Sequence, residues 1–104
     1  MMRYKLVIQP EVFDDIQDGI DWYNSRKKGL GKRFFDAVKQ EYKTLRINPG
    51  FQVRYDEVKC LPIKKFPYMI HYYVIEESKT VVVMGVINTY LNPIIWEKRT
   101  GKIE

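Results

Sequence analysis

Apolar residues recur along this chain with two different periods, and the change from one to the other divides it into a helical half and a strand half. The first run, Tyr4-Lys5-Leu6-Val7-Ile8, is short and β-prone, and it closes at Gln9-Pro10. A proline there suits the first turn of a helix, because its missing N–H is one the helix leaves unpaired anyway. Val12, Ile16, Ile20 and Tyr23 then follow at spacings of four, four and three, with Phe13 flanking them. That is one apolar face of a helix. Asp14, Asp18 and Asp21 fall on the opposite side, a solvated face. Trp22 lies well off the stripe, so this helix either buries two surfaces or exposes an indole. Asn24 to Gly31 breaks the pattern with two glycines and three basic residues. A second helix is predicted from Leu30, Phe34, Val38, Tyr42 and Leu45, widened by Phe35 and Ala37, and it stops at Asn48-Pro49-Gly50. Two amphipathic helices joined by a short link read as an αα-hairpin.

Beyond Phe51 the residues become β-branched and aromatic. Val58 to Ile63 forms one candidate strand, whose internal Pro62 implies an edge position or a bulge. Pro67 to Ile75 and Thr80 to Ile87 form two more, separated by the polar turn Glu76-Glu77-Ser78-Lys79. Strands linked so tightly pair antiparallel. Alternation puts Tyr68, Ile70, Tyr72 and Val74 on one face and Met69, His71, Tyr73 and Ile75 on the other. Neither face is polar, so the sheet needs two covers: the helical hairpin, and then the C-terminal segment, a second copy or a partner protein. The expected class is α+β, with an N-terminal strand and an αα-hairpin packed on an antiparallel sheet of the C-terminal strands.

Composition narrows this picture more than it enlarges it. The 104 residues suit one domain, 1–104, which buries about two thirds of its unfolded surface. Cys60 is the single cysteine and His71 the single histidine, which excludes an intrachain disulfide and a four-ligand Cys/His zinc site. No apolar run reaches the roughly 18 residues of a membrane span, and MMRYKLVIQP lacks a signal peptide's apolar core. The default is a cytoplasmic protein without membrane attachment. The net charge of +5 permits nucleic acid or an acidic protein as partner and selects neither.

An ordered set of residues adds a resemblance. Trp22-Tyr23, Leu30-Gly31-Lys32-Arg33-Phe34, Asn48-Pro49, the run Val58 to Tyr68 with its Phe66-Pro67-Tyr68, the alternating Ile70, Tyr72 and Val74, and finally Asn92-Pro93 with Trp96 and Arg99 extend over nearly the whole chain. Together they resemble the RelE/ParE superfamily of toxins from bacterial type II toxin–antitoxin modules, more closely its ParE-like, plasmid-stabilisation branch. The resemblance implies a growth-inhibiting toxin that is neutralised by a cognate antitoxin, with no cofactor and no metal. RelE-like members cut mRNA in the ribosomal A site, and ParE-like members poison DNA gyrase. Two departures stand out. Many ParE-like members carry a histidine and two basic residues where this chain has Asn88-Thr89-Tyr90-Leu91, and an arginine where it has Lys59. The first departure removes an acid–base group and two phosphate-binding cations, which favours a protein target such as gyrase over metal-independent RNA cleavage.

Cleavage through a 2′-hydroxyl needs a base, an acid and cations for the phosphorane. The candidates for that chemistry are His71, Tyr90, Lys65 and Arg99. Lys59, Lys64, Lys65 and Arg99 are candidates for holding phosphate or the target. His71 between aromatics reads more readily as a packed or interface histidine, and Lys64-Lys65 equally as a solvated strand end. Trp22, Tyr73, Tyr90 and Trp96, with Tyr72, are candidates for a partner-facing aromatic surface, because such rings tolerate half-wet interfaces. Arg26-Lys27-Lys28 with Lys32-Arg33 is a basic group beside an acidic helix face, which serves either solvation or contact with nucleic acid or an acidic antitoxin.

Overall fold

The computed structural model describes residues 3–50, 53–55 and 57–89. In chain order these form β1 (Lys5–Ile8), α1 (Pro10–Arg26), α2 (Leu30–Ile47), β2 (Val53–Tyr55), β3 (Val58–Pro62), β4 (Tyr68–Ile75), a single 3₁₀ turn (Glu76–Ser78) and β5 (Thr80–Asn88). The strands make one sheet in the order β1-β5-β4-β3-β2. From β2 to β5 the neighbours are antiparallel, as the short links require. β1 joins the other edge in parallel, Lys5 opposite Thr80 and Ile8 opposite Val83, so the sheet is mixed. β5 is therefore flanked by strands on both sides, and every residue from Thr80 to Ile87 is buried. That position accounts for its unbroken apolar sequence, since a strand enclosed on both faces has no polar side to show.

Each helix boundary has a local cause. Pro10 opens α1 at its first turn, and the Lys27 N–H closes it on the Tyr23 carbonyl at 3.0 Å. Gly29, at φ 85°, supplies the left-handed residue that turns the chain into α2. The start of α2 is capped from outside, the Asn24 side-chain oxygen accepting the Gly31 N–H at 2.9 Å. Gly31 also brings the helices together: a Cβ built on it would stand 2.6 Å from the Ile20 carbonyl oxygen. At Gly19 a Cβ would meet the Phe34 ring at 2.5 Å.

The core lies between the hairpin and one sheet face. Val12 and Ile16 of α1, Phe34, Val38 and Leu45 of α2, and Leu61, Ile70, Tyr72, Val81, Val83 and Val86 of the sheet form one cluster. The phase of β5 shifts within it. Tyr72 pairs with Val83 but His71 pairs with Gly85, leaving Met84 as the extra residue of a bulge. The bulge keeps Val86 on the helix face after Val81 and Val83. Past Ile8 the outer edge of β5 has lost its strand partner, and there the Asp15 carboxylate of α1 accepts the Val86 N–H at 3.1 Å.

The opposite face carries Cys60, His71, Val82 and Ile87, all buried. The expected cover from the segment after Thr89 lies outside the described residues. β2 is a strand the periodicity does not predict, three residues long with an irregular register against β3. Among the described residues β2 pairs only with Val58 and Lys59, and Pro62 lies at the far end of β3, beyond that pairing. Phe13 and Phe35, expected to flank the core, point outward instead. Phe35 carries the Lys39 ammonium over its ring at 4.6 Å.

Gly31→Ala should lower the stability by about 1–3 kcal/mol in urea unfolding, because the neighbour it meets is backbone that cannot swing aside. A second check uses pH. The Glu76 carboxylate accepts from Lys79 at 3.1 Å and from the Tyr4 hydroxyl at 3.2 Å. The Lys79 bond chiefly, with the Tyr4 bond, holds its pKa below the ordinary 4.5. A carboxyl lowered by folding stabilises at pH above its unfolded value and loses that contribution as pH falls through the folded value. Wild type should therefore exceed Glu76→Gln in unfolding midpoint at neutral pH, and the two should converge as the pH falls below the ordinary carboxyl value and through the folded one.

Candidate functional site

Four aromatic rings from four segments meet at the linked end of the helical hairpin. Phe34 of α2 lies 4.8 Å from Tyr68 of β4 and 5.4 Å from Phe66, ring centre to ring centre, and Tyr23 of α1 lies 4.9 Å from Phe66 and 5.3 Å from Phe34. Tilted and edge-to-face pairs of this kind are individually worth about 0.5–1.5 kcal/mol beyond area burial. Burial, and then the neighbouring Tyr68, raise the pKa of the Tyr23 phenol. The knot anchors the β3–β4 connection against both helices.

That connection is a tight hydrogen-bonded loop. The Ile63 N–H donates to the Tyr68 carbonyl at 2.9 Å, the Phe66 N–H to Ile63 at 3.4 Å, and the Tyr68 N–H to Phe66 at 2.8 Å. Lys64 and Lys65 form its tip, both exposed. Lys65 has φ 70°, the left-handed region at the third position of the turn, where glycine is the usual occupant.

Between this tip and α2 opens a cleft of about 670 Å³. Tyr23, Leu30, Ala37, Phe66 and Pro67 line it with apolar surface, and Arg33, Lys64, Lys65 and Asp36 supply its charges. Asp36 is already engaged, by Lys32 at 2.9 Å and Lys39 at 3.5 Å. The Lys32 hydrogen bond is the main reason its carboxyl is held below the usual range. The cations thus face the opening against a carboxylate that has its own partners.

The structure splits the candidates from the sequence into separate places. Lys64 and Lys65 share the cleft with Arg33, which the sequence grouped only with the basic residues of the helix junction. Its membership was readable, since Leu30, Arg33 and Ala37 stand on one flank of α2. Lys59 does not join them. It lies five residues back along the strand direction, roughly 16 Å at 3.3 Å per residue, and its charge acts on Glu76 instead. His71 is 1% exposed on the second sheet face, with its Nδ1 3.4 Å from the Cys60 sulfur. The imidazole is thus enclosed on the sheet face opposite the helical hairpin, apart from the residues that line the cleft. Tyr72, expected as a partner-facing ring, is a core residue with no exposed surface, its hydroxyl donating to the Pro49 carbonyl at 2.9 Å. Tyr73 beside it is half-buried. Trp22 exposes half its surface and carries the Arg26 guanidinium 4.0 Å over its ring. Tyr90, Trp96 and Arg99 lie outside the described residues. Among the described residues no three His, Cys, Asp or Glu side chains gather as metal ligands, and no helix is long and apolar enough to cross a membrane.

The free E. coli toxin RelE, in a variant with two arginines changed to alanine, superposes over 99% of this chain and 100% of its own with a TM-score of 0.72 at 16% identity. This chain has the RelE/ParE toxin fold. A chain of the chromosomal ParDE toxin–antitoxin system from P. aeruginosa matches 82% of it, and 95% of that chain, with a TM-score of 0.65 at 16% identity. The isolated E. coli RelE toxin matches over 96% and 99% of the two chains with a TM-score of 0.55 at 17% identity. No family model matches the sequence, and no curated protein matches it. In this chain the cleft lies at the junction of the helical hairpin and the β3–β4 loop.

Tyr72→Phe should cost about 1–3 kcal/mol in chemical unfolding, because it strands the buried Pro49 carbonyl. Tyr73→Phe should move the midpoint little. Equal effects would show that the two hydroxyls have similar surroundings.

Proposed function

We propose that this chain is the toxin of a type II toxin–antitoxin module, neutralised in the bacterial cytoplasm by a cognate antitoxin and acting by binding a protein target such as DNA gyrase. The toxin assignment rests on the likeness in fold to the E. coli toxin RelE and to a chain of the P. aeruginosa ParDE system, joined to the ordered sequence motifs. The observation that carries the binding mode is the separation of His71 from the cations. Cleavage of RNA requires proton transfer next to the groups that hold the phosphate. Here Arg33, Lys64 and Lys65 converge on a mostly apolar cleft, while the imidazole is enclosed on the second face of the sheet. A cleft of cations and apolar surface is equipped to grip rather than to transfer protons.

The second reading is ribosome-dependent cleavage of mRNA, favoured by the coverage and TM-score of the RelE match. In that case Lys65, Tyr90 and Arg99 would carry the reaction.

Induction of the chain alone should arrest growth, and co-expression with the product of the adjoining reading frame should restore it. Purified toxin in molar excess should inhibit supercoiling by gyrase. Unchanged supercoiling, together with A-site cuts in ribosome-bound message that vanish in Lys65→Ala, would replace the first reading by the second. Normal growth on induction, with no complex formed by the adjoining product, would sink both.

A further inference from the structure

The sheet face opposite the helical hairpin gathers the soft donor atoms of this chain. Cys60 of β3, Met69 and His71 of β4 and Met84 of β5 lie on it, and they include the only cysteine, the only histidine and two of the four methionines in the sequence. Register sets them side by side. Cys60 is opposite His71, and His71 is opposite Gly85, next to the bulged Met84. Val81, Val83 and Val86 pack into the core beneath the helices; Met84, though buried, does not join them, as alternation along β5 requires. We propose that this cluster is a binding site for a soft monovalent metal ion, Cu(I), held by the Cys60 thiolate, the His71 imidazole and a thioether of Met69 or Met84.

The spacing of the first two donors suits such an ion. The Cys60 sulfur and His71 Nδ1 stand 3.4 Å apart, close enough to share a hydrogen. With metal–sulfur and metal–nitrogen bonds of about 2.3 and 2.0 Å, that separation corresponds to an angle of roughly 105° at a metal between them. A linear two-coordinate ion would need its donors about 4.3 Å apart, so this pair leaves an open side for a third donor. Two thioethers flank it. Met69 precedes His71 by two residues on the same face, and Met84 stands beside it across the β4–β5 pair, neighbours that long side chains bridge. Met69 is half-buried, which gives the cluster its side toward solvent.

Burial and ligand type together select the ion. On binding, the Cys60 S–H bond breaks, the proton leaves to solvent, an S–Cu bond forms and Nδ1 contributes its lone pair, while copper remains Cu(I). A thiolate and a monovalent cation make a neutral unit. A divalent ion would leave net charge among the buried Val82 and Ile87 of the same face, at high desolvation cost. Thiolate and thioether sulfur are soft ligands that favour Cu(I), and three donors fall short of the four that structural zinc requires.

The measurement is an anaerobic titration of the reduced whole chain with Cu(I) presented as its coloured complex with bathocuproine disulfonate. Wild type should withdraw one Cu(I) per chain, develop an ultraviolet thiolate-to-copper charge-transfer band and unfold at higher denaturant, as a ligand of the folded state requires. Cys60→Ala should lose the band and bind at least a hundredfold more weakly. Met69→Leu combined with Met84→Leu conserves volume, so its metal-free unfolding midpoint should stay near wild type while Cu(I) binding weakens at least tenfold. That variant also keeps the test open if Cys60→Ala does not fold. Zn(II) should bind wild type at least tenfold more weakly than Cu(I). Copper left entirely with the chelator by wild type overturns the proposal and reduces the pair to a thiol–imidazole hydrogen bond. Uptake unchanged in Cys60→Ala overturns it by placing the ion elsewhere, for instance at Met1 and Met2. Binding within twofold of wild type in the double leucine variant, or equal affinity for Zn(II), overturns the soft three-donor site.

Discussion

Phe34 occupies the point on which the rest of this structure depends. Its ring fits against α1 only because residue 19 has no side chain, and from there it touches Tyr23, Phe66 and Tyr68. Two helices, a strand and a loop are registered through that one side chain. The same contact fixes the distance between the hairpin and the β3–β4 loop, and so the width of the cleft that Arg33, Lys64 and Lys65 border. Tyr23 and Phe66 belong to both the packed knot and the cleft, which is why a change made at the knot would be read in both.

The sheet solves a separate problem, that of the interior strand β5. β5 must satisfy hydrogen bonds on both edges although β1 accompanies it for only four residues. Asp15 reaches from α1 to take the next free N–H, and the bulge at Met84 resets the alternation so that Val86 still meets the core. A buried backbone donor left without such an acceptor would cost about 1–3 kcal/mol. The helix layer therefore supplies a polar contact as well as apolar cover.

Both helices and four of the five strands were legible in the sequence, β1 from its β-prone residue types and the others from runs long enough to display a period. Phe34, Val38 and Leu45 of the α2 stripe are buried as the spacing predicts, with Leu30 half-buried at the cleft, and Gly29, Asn48 and Pro49 mark the ends of α2. The parallel pairing of β1 with β5 was not legible, since periodicity within a strand says nothing of its distant neighbour. β2 was missed because three residues carry too little pattern. Phe13 and Phe35 lay one residue beside a true stripe and were drawn into it, although 100° of rotation is enough to turn a ring to solvent. Among the candidate residues, charge and residue type marked Lys64 and Lys65 but grouped Lys59 with them, because distance along a strand is invisible in a list of cations. Tyr72 shows the limit of residue type as a signal: a tyrosine is amphipathic wherever it lies, and only the Pro49 carbonyl opposite its hydroxyl explains its complete burial.

The parallel edge has a consequence for how the molecule is made. A ribosome releases β1 first, yet Lys5 has no strand to lie against until Thr80 and its neighbours have been synthesised. Both helices and the strands β2 to β4 precede β5, so the nascent chain carries an open sheet until the strand that joins β1 to β4 arrives. Closing that gap brings together segments from opposite ends of the described chain, a step governed by loop entropy rather than local propensity. Truncation before β5 removes the floor beneath α1 and the partner of β1 at once. Folding of this domain is thereby tied to the synthesis of β5.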